Sequence, residues 1–270
     1  LVTRAVSTWS LHRTLGRFAA DGSAANGGRF IESPPAPDGL SLLELPAQLR
    51  QRGYQALQIC HFHIPARSPA YLEELRAALA ESGIALDALL IDDGDLTSSD
   101  DADRAEAWVG SWLETATALG ARRTRVSAGR SAPAPETRQA SAARLARLAA
   151  SHPDVRVVTE NWMEMMPTAD AVLEYLDAAG EGVGLLIDLG NWSGPGKYQD
   201  LASIAPLAES CHAKCHFTGD SPDRDDFQAS LQVLKDAGYD GPLALIYDGS
   251  GDDEWAALDT EWKIVREVFG

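Results

Sequence analysis

Four short apolar runs in this chain end in side chains able to bind a cation or move a proton. Val157-Val158 leads into Glu160-Asn161-Trp162, and Gly184-Leu185-Leu186-Ile187 into Asp188, followed by Leu189-Gly190-Asn191-Trp192. His212, Lys214 and His216 fall at every second position, so in an extended strand all three share one face. A further run ends in His61-Phe62-His63. Two carboxylates and an imidazole brought to one rim make an oxygen and nitrogen donor set suited to Mn, Mg, Co or Zn. Trp9, Trp162 and Trp192 also follow run ends, where an indole can pack on the apolar face of a sugar or cyclitol ring. Lys214 is one of four lysines. A long cation on an inward face is costly unless paired, which points it toward a substrate. Each residue also has a plain structural reading. Glu160 would pair with an arginine, Asp188 would form an Asx turn, His63 would be a loop histidine, and the tryptophans would pack loops.

The elements that position these groups follow from the hydrophobic pattern. Strands are predicted at 2–8, 54–61, 84–91, 123–127, 155–160, 183–189, 210–216 and 243–247. Amphipathic helices are predicted at 41–52, 69–82, 101–119, 135–150, 168–179, 198–208, 225–237 and 255–268, with Gly or His-Pro where helices should stop. A long Gly/Pro-rich loop is expected over 11–39. Eight strands, each followed by a helix, predict a single (β/α)8 barrel spanning 1–270, an α/β fold. In such a barrel the reactive groups come from the C-terminal strand ends, where the four suspect motifs stand.

Composition narrows the partners. The formal net charge is −17, and the tightest basic group is Arg122, Arg123 and Arg125, so a phosphate backbone would be repelled and nucleic-acid binding is not expected. No apolar run approaches the roughly 20 residues needed to span a bilayer. Three cysteines, Cys60, Cys211 and Cys215, make no disulfide framework and fit a reducing, cytoplasmic setting. Cys211 and Cys215 have three residues between them, against two in a haem-attachment motif, and are expected to face outward as packing residues. Asp92-Asp93-Gly94-Asp95 lacks the later ligands of a calcium loop.

The segments VVTENW, LLIDLGNW, HAKCH and GYDGPLALIYDG, with the earlier VSTWSL and GYQALQICHFHIP, resemble the xylose isomerase-like TIM barrels. That superfamily holds sugar isomerases, ketose 3-epimerases, inosose dehydratases and, more distantly, endonuclease IV. The resemblance implies that Glu160, Asp188 and His212 hold a divalent metal ion, with His212 preferred to His216, and that Lys214 faces the substrate. Two positions depart from the family pattern. Ile246 stands where a fourth ligand, a Glu, is usual, leaving Asp248 two residues on as its substitute, and Asn191 stands where many members carry a His.

The function implied is a metal-dependent isomerase, epimerase or related dehydratase. Its substrate would be a small, unphosphorylated keto-sugar, polyol or cyclitol, reacting through an enediolate. Glu160 would remove the proton next to the carbonyl, and Lys214 or His63 would protonate or steady the oxyanion. Trp9, His61, Trp162, Asn191, Trp192 and His216 would contact the ligand. The rival is a barrel that binds a sugar without turning it over, having lost the eighth-strand Glu. A DNA-repair nuclease lacks its basic groove here. Homo-oligomerisation is left open.

Overall fold

The computed structural model describes residues 2–16 and 39–270. Eight parallel strands close into a barrel in which each pairs with the next and the last returns to the first. They are β1 Thr3–Ser7, β2 Ala56–Cys60, β3 Ala85–Ile91, β4 Arg123–Val126, β5 Arg156–Glu160, β6 Val183–Asp188, β7 Ala208–Lys214 and β8 Pro242–Ile246. Around them run α1 His12–Leu15, α2 Leu45–Gln51, α3 Pro69–Ser82, α4 Ala102–Leu119, α5 Pro135–Ser151, α6 Ala169–Ala179, α7 Lys197–Ile204, α8 Arg224–Asp236 and α9 Glu254–Phe269. The expected (β/α)8 architecture is the observed one. A two-stranded ribbon, Phe217–Thr218 with Ser221–Pro222, projects beyond β7.

Local chemistry sets the element ends. Ser68 caps α3 by accepting from the Tyr71 amide, with Pro69 in the first turn, and Gly83 ends that helix at φ 64°, a conformation that favours glycine. The helix expected from residue 41 opens as a turn, because Ser41 and Glu44 satisfy one another's amides in a capping box ahead of Leu45. Residues 11–15 of the expected loop are helical, and 17–38 lie outside the described residues.

Strand alternation sorts side chains between two environments. Leu57, Ile59, Leu185, Ile187, Cys211, Ala213, Leu243 and Leu245 face the helices in the large core. Cys60, Leu90, Val158 and Leu186 pack with one another inside the barrel. Ala5, Ala56 and Ala244 form another internal group, small enough to let the strands converge. Other inward positions carry polar groups: Gln58, Asp87, Arg123, Arg125, Glu160, Asp188, Ser210, His212 and Lys214. A bulge in the β2–β3 pairing, between Leu57 and Gln58, lets Asp87 join this set out of strict alternation. Cys211 of β7 and Cys215, just past its end, are buried in the large core, as expected, and no helix among the described residues is long and apolar enough to cross a membrane.

Candidate metal centre

β5, β6 and β7 are neighbours in the barrel, with Glu160 paired to Leu186 and Asp188 paired to His212 in register. Their inward alternation therefore delivers Glu160, Asp188 and His212 side by side. One potential ligand atom from each lies within 4.8 Å of the others, and all three residues are buried. His212 Nδ1 is 3.3 Å from Glu160 Oε1 and 3.5 Å from Asp188 Oδ2. Two carboxylates and one imidazole form the donor set that a divalent ion of this class accepts.

Each ligand-type group is held from behind. Glu160 Oε1 accepts from Asn191 Nδ2 at 2.9 Å, and Arg125 Nε lies 2.9 Å from Oε2. That arginine contact is an ion pair without the angles of a hydrogen bond. Asp188 Oδ1 accepts from the Gly190 amide at 2.6 Å, while Asn161 ties down the Asp188 backbone at both N and O. His212 Nε2 sits 2.8 Å from Gln58 Oε1. Burial alone would lower the His212 pKa, but Glu160 and Asp188 more than reverse this and raise it to about 9. Burial likewise opposes ionisation of Asp188, and His212 and Lys214 overcome it, so the carboxyl titrates below its ordinary value.

A cleft opens above this cluster. It is lined by the three ligand-type residues together with Trp9, Cys60, Leu90, Asp92, Arg125, Trp162, Asn191, Lys214 and Ile246. Of the expected ligand contacts, Trp9, Trp162, Asn191 and Lys214 therefore stand at the cleft. Lys214 Nζ pairs with Asp248 Oδ2 at 2.8 Å at the mouth. Asp248 is thus engaged by Lys214 and is not part of the three-residue cluster. Ile246, buried, occupies the inward β8 position below it.

The other expected contacts do not line this cleft. His61-Phe62-His63 forms a 3-10 turn, which ends the strand's alternation, and neither imidazole lines the cleft. His61 is buried edge-on against Trp108 and Trp112 and accepts from the Asp92 amide. His63 is buried between Thr8 and His12. His216 is exposed and its Nε2 donates to the Gly190 carbonyl, so it steadies the loop after β6. Trp192 donates to the Met166 carbonyl and borders a neighbouring cavity.

Arg125 and Asp92 were not picked out from the sequence as site residues. Arg125 Nη2 donates to Asp92 at 2.7 Å, Nη1 donates to the Ile91 carbonyl, and the guanidinium lies 4.9 Å from the centre of the Trp162 ring. Their signal was alternation: Arg123 and Arg125 are two apart on one strand, so both point inward. Burial would raise the Asp92 carboxyl, yet Arg125 and His61 hold it well below the usual carboxylate range. A folded-state pKa below the unfolded value of about 3.9 adds stability that is present above that pH. The contribution is lost as the pH falls toward the folded value. Asp92→Asn is therefore expected to lower stability at pH 7 and to flatten the decline below pH 4. Urea unfolding midpoints from pH 7 to pH 3 would show it; parallel curves for the two proteins would refute it.

The family model described as xylose isomerase-like TIM barrel matches residues 46–263. The chain belongs to that family. Among solved structures, a xylose isomerase-like TIM barrel protein from Mycobacterium smegmatis in complex with magnesium is 15% identical, with a TM-score of 0.70 over 99% of this chain and 96% of that one. D-psicose 3-epimerase with D-tagatose from Clostridium cellulolyticum H10 is 13% identical, with a TM-score of 0.70 over 99% of each chain. The apo form of 3-keto-D-glucoside 4-epimerase from E. coli is 15% identical, with a TM-score of 0.69 over 99% of this chain and 100% of that one. At these identities the likeness is one of fold. No curated protein matches the sequence.

Proposed function

We propose that this protein is a metal-dependent isomerase or epimerase, or a related dehydratase, acting on a small keto-sugar, polyol or cyclitol. One observation carries the reading: three ligand-type side chains from adjacent strands converge, buried, at the C-terminal mouth of the barrel. Charge supports it. Among the described residues, Asp92, Glu160, Asp188 and Asp248 face two permanent cations, Arg125 and Lys214, and a divalent ion would supply the missing two charges. The named epimerases among the structural neighbours fit the same reading.

Glu160, Asp188 and His212 would hold the ion, of which Mn, Mg, Co and Zn are all compatible with the donors. Bound there, it would polarise a carbonyl and the adjacent hydroxyl. Glu160, the expected base, has Asn191 on one oxygen and Arg125 beside the other. The pair at the mouth can also take part in proton movement. Burial opposes the charge on Lys214, but Asp188 and Asp248 raise its pKa, so its ammonium is available to steady developing negative charge on oxygen. Asp248, about a third exposed, is the acceptor beside it. Trp9 and Trp162 offer ring faces to an apolar sugar edge, and Asn191 both supports Glu160 and presents an amide to the cleft.

A second reading rests on Ile246, which lines the cleft where the family pattern has a carboxylate. It makes the protein a sugar-binding barrel without turnover. Protein purified without chelators or a His tag should carry about one equivalent of divalent metal. At a ligand concentration 100 times Kd, binding should stabilise the fold by about 2.7 kcal/mol. Incubation of the loaded protein with ketoses in deuterated water separates the readings. Deuterium entering next to the carbonyl supports the isomerase or epimerase, and tight ligand binding without exchange supports the non-catalytic barrel.

A further inference from the structure

Beneath the three ligand-type side chains runs a file of buried polar groups, and the direction of its hydrogen bonds can be read from one end. At the base, Asp87 accepts from Arg123 Nη1 at 2.6 Å, from Ser210 Oγ at 2.7 Å and from Gln58 Nε2 at 2.9 Å. A carboxylate so surrounded has acceptors only, so Gln58 must turn its amide nitrogen toward it. The same nitrogen donates to Ser210 Oγ at 2.9 Å. The Gln58 carbonyl oxygen is thereby committed to His212 Nε2, 2.8 Å away. A carbonyl oxygen also only accepts, so Nε2 carries the hydrogen. In the neutral ring the lone pair then belongs to Nδ1, the atom facing Glu160 and Asp188.

We infer that Gln58 is a positioning residue that selects the tautomer of His212, and that Asp87 with Arg123 sets the orientation of Gln58. The inference rests on the metal reading of the site above. It matters because the local bias runs the other way. Two carboxylates beside Nδ1 favour a hydrogen on that nitrogen, which would turn the lone pair to Nε2 and away from the cation position. The Gln58 oxygen opposes that bias. It does so from a part of the barrel outside the cleft, since neither Gln58 nor Asp87 lines it.

A purely structural role for Gln58 predicts that a side chain of the same length would serve. Gln58→Met keeps the shape and removes the strong acceptor, and Mn²⁺ affinity measured by titration calorimetry should fall about 10- to 100-fold. Gln58→Glu should recover most of that loss. Beside Asp87 one of the two carboxyls is driven to hold a proton, which recreates a donor toward Asp87 and an acceptor toward Nε2. Equal affinity in Gln58→Met and wild type would overturn the inference while leaving the metal reading intact. A wild type that binds no Mn²⁺ would overturn both. Should the Met variant fail to fold, long-range proton–nitrogen NMR of the Mg²⁺-loaded wild type decides the matter. A hydrogen on His212 Nε2 supports the assignment and one on Nδ1 refutes it.

Discussion

Asp188→Ala is expected to abolish stoichiometric metal uptake. Elemental analysis of this variant and the wild type, purified side by side without chelators, should show about one equivalent in the wild type and close to none in the variant. Calorimetric titration with Mn²⁺ should give a loss larger than the about 10- to 100-fold typical of removing an outer partner of a metal ligand. The expectation follows from position. Asp188 ends β6 between the strands that carry Glu160 and His212, so its removal leaves one carboxylate and one imidazole. The backbone should survive, because Asn161 anchors residue 188 through main-chain atoms. The variant does lose the short bond to the Gly190 amide, so a modest drop in thermal midpoint is expected as well. Unchanged metal content in a folded variant would refute the assignment of the centre.

Arg125→Met is expected to have the largest effect on stability. Arg125 is buried and contacts two buried carboxylates, Asp92 at 2.7 Å and Glu160 at 2.9 Å. Methionine fills much of the volume but leaves both anions without their common cation. Breaking a buried pair by removing one partner costs about 3–5 kcal/mol. For a domain of this size that lowers the thermal midpoint on the order of 10 °C. The loss should shrink when Mn²⁺ is present, because the ion replaces part of the missing charge beside Glu160. Calorimetric melting of both proteins, with and without Mn²⁺, would test this. A variant as stable as wild type would show that the pair contributes little.

What was legible in the sequence followed the strand period. The barrel could be read because most strands are apolar runs set off by helices that stop at glycine or His-Pro. Glu160, Asp188 and His212 could be read because inward alternation persists to the ends of β5, β6 and β7. Less was legible where alternation stops. His61 and His63 lie in a 3-10 turn, and that change of backbone geometry carries no warning in the residues themselves. Asp248 lies beyond the end of β8, where Lys214 takes its carboxylate. Arg125 shares the inward face of β4, yet an arginine next to Arg122 and Arg123 reads as surface charge until its acidic partners, far apart in sequence, are brought to it. Gln58 and Asp87 were hidden for a related reason, since their meaning lies in contacts to Ser210 and His212 across the barrel.

The ligand-bearing strands are consecutive, so the donors occupy one side of the mouth, while Trp9 and Cys60 from the β1 and β2 ends line the cleft. A molecule entering this opening meets ionic groups along one flank and the Trp9 indole along the other. Its two ends are therefore not equivalent. A scaffold of eight similar units thus acquires a head and a tail for its guest.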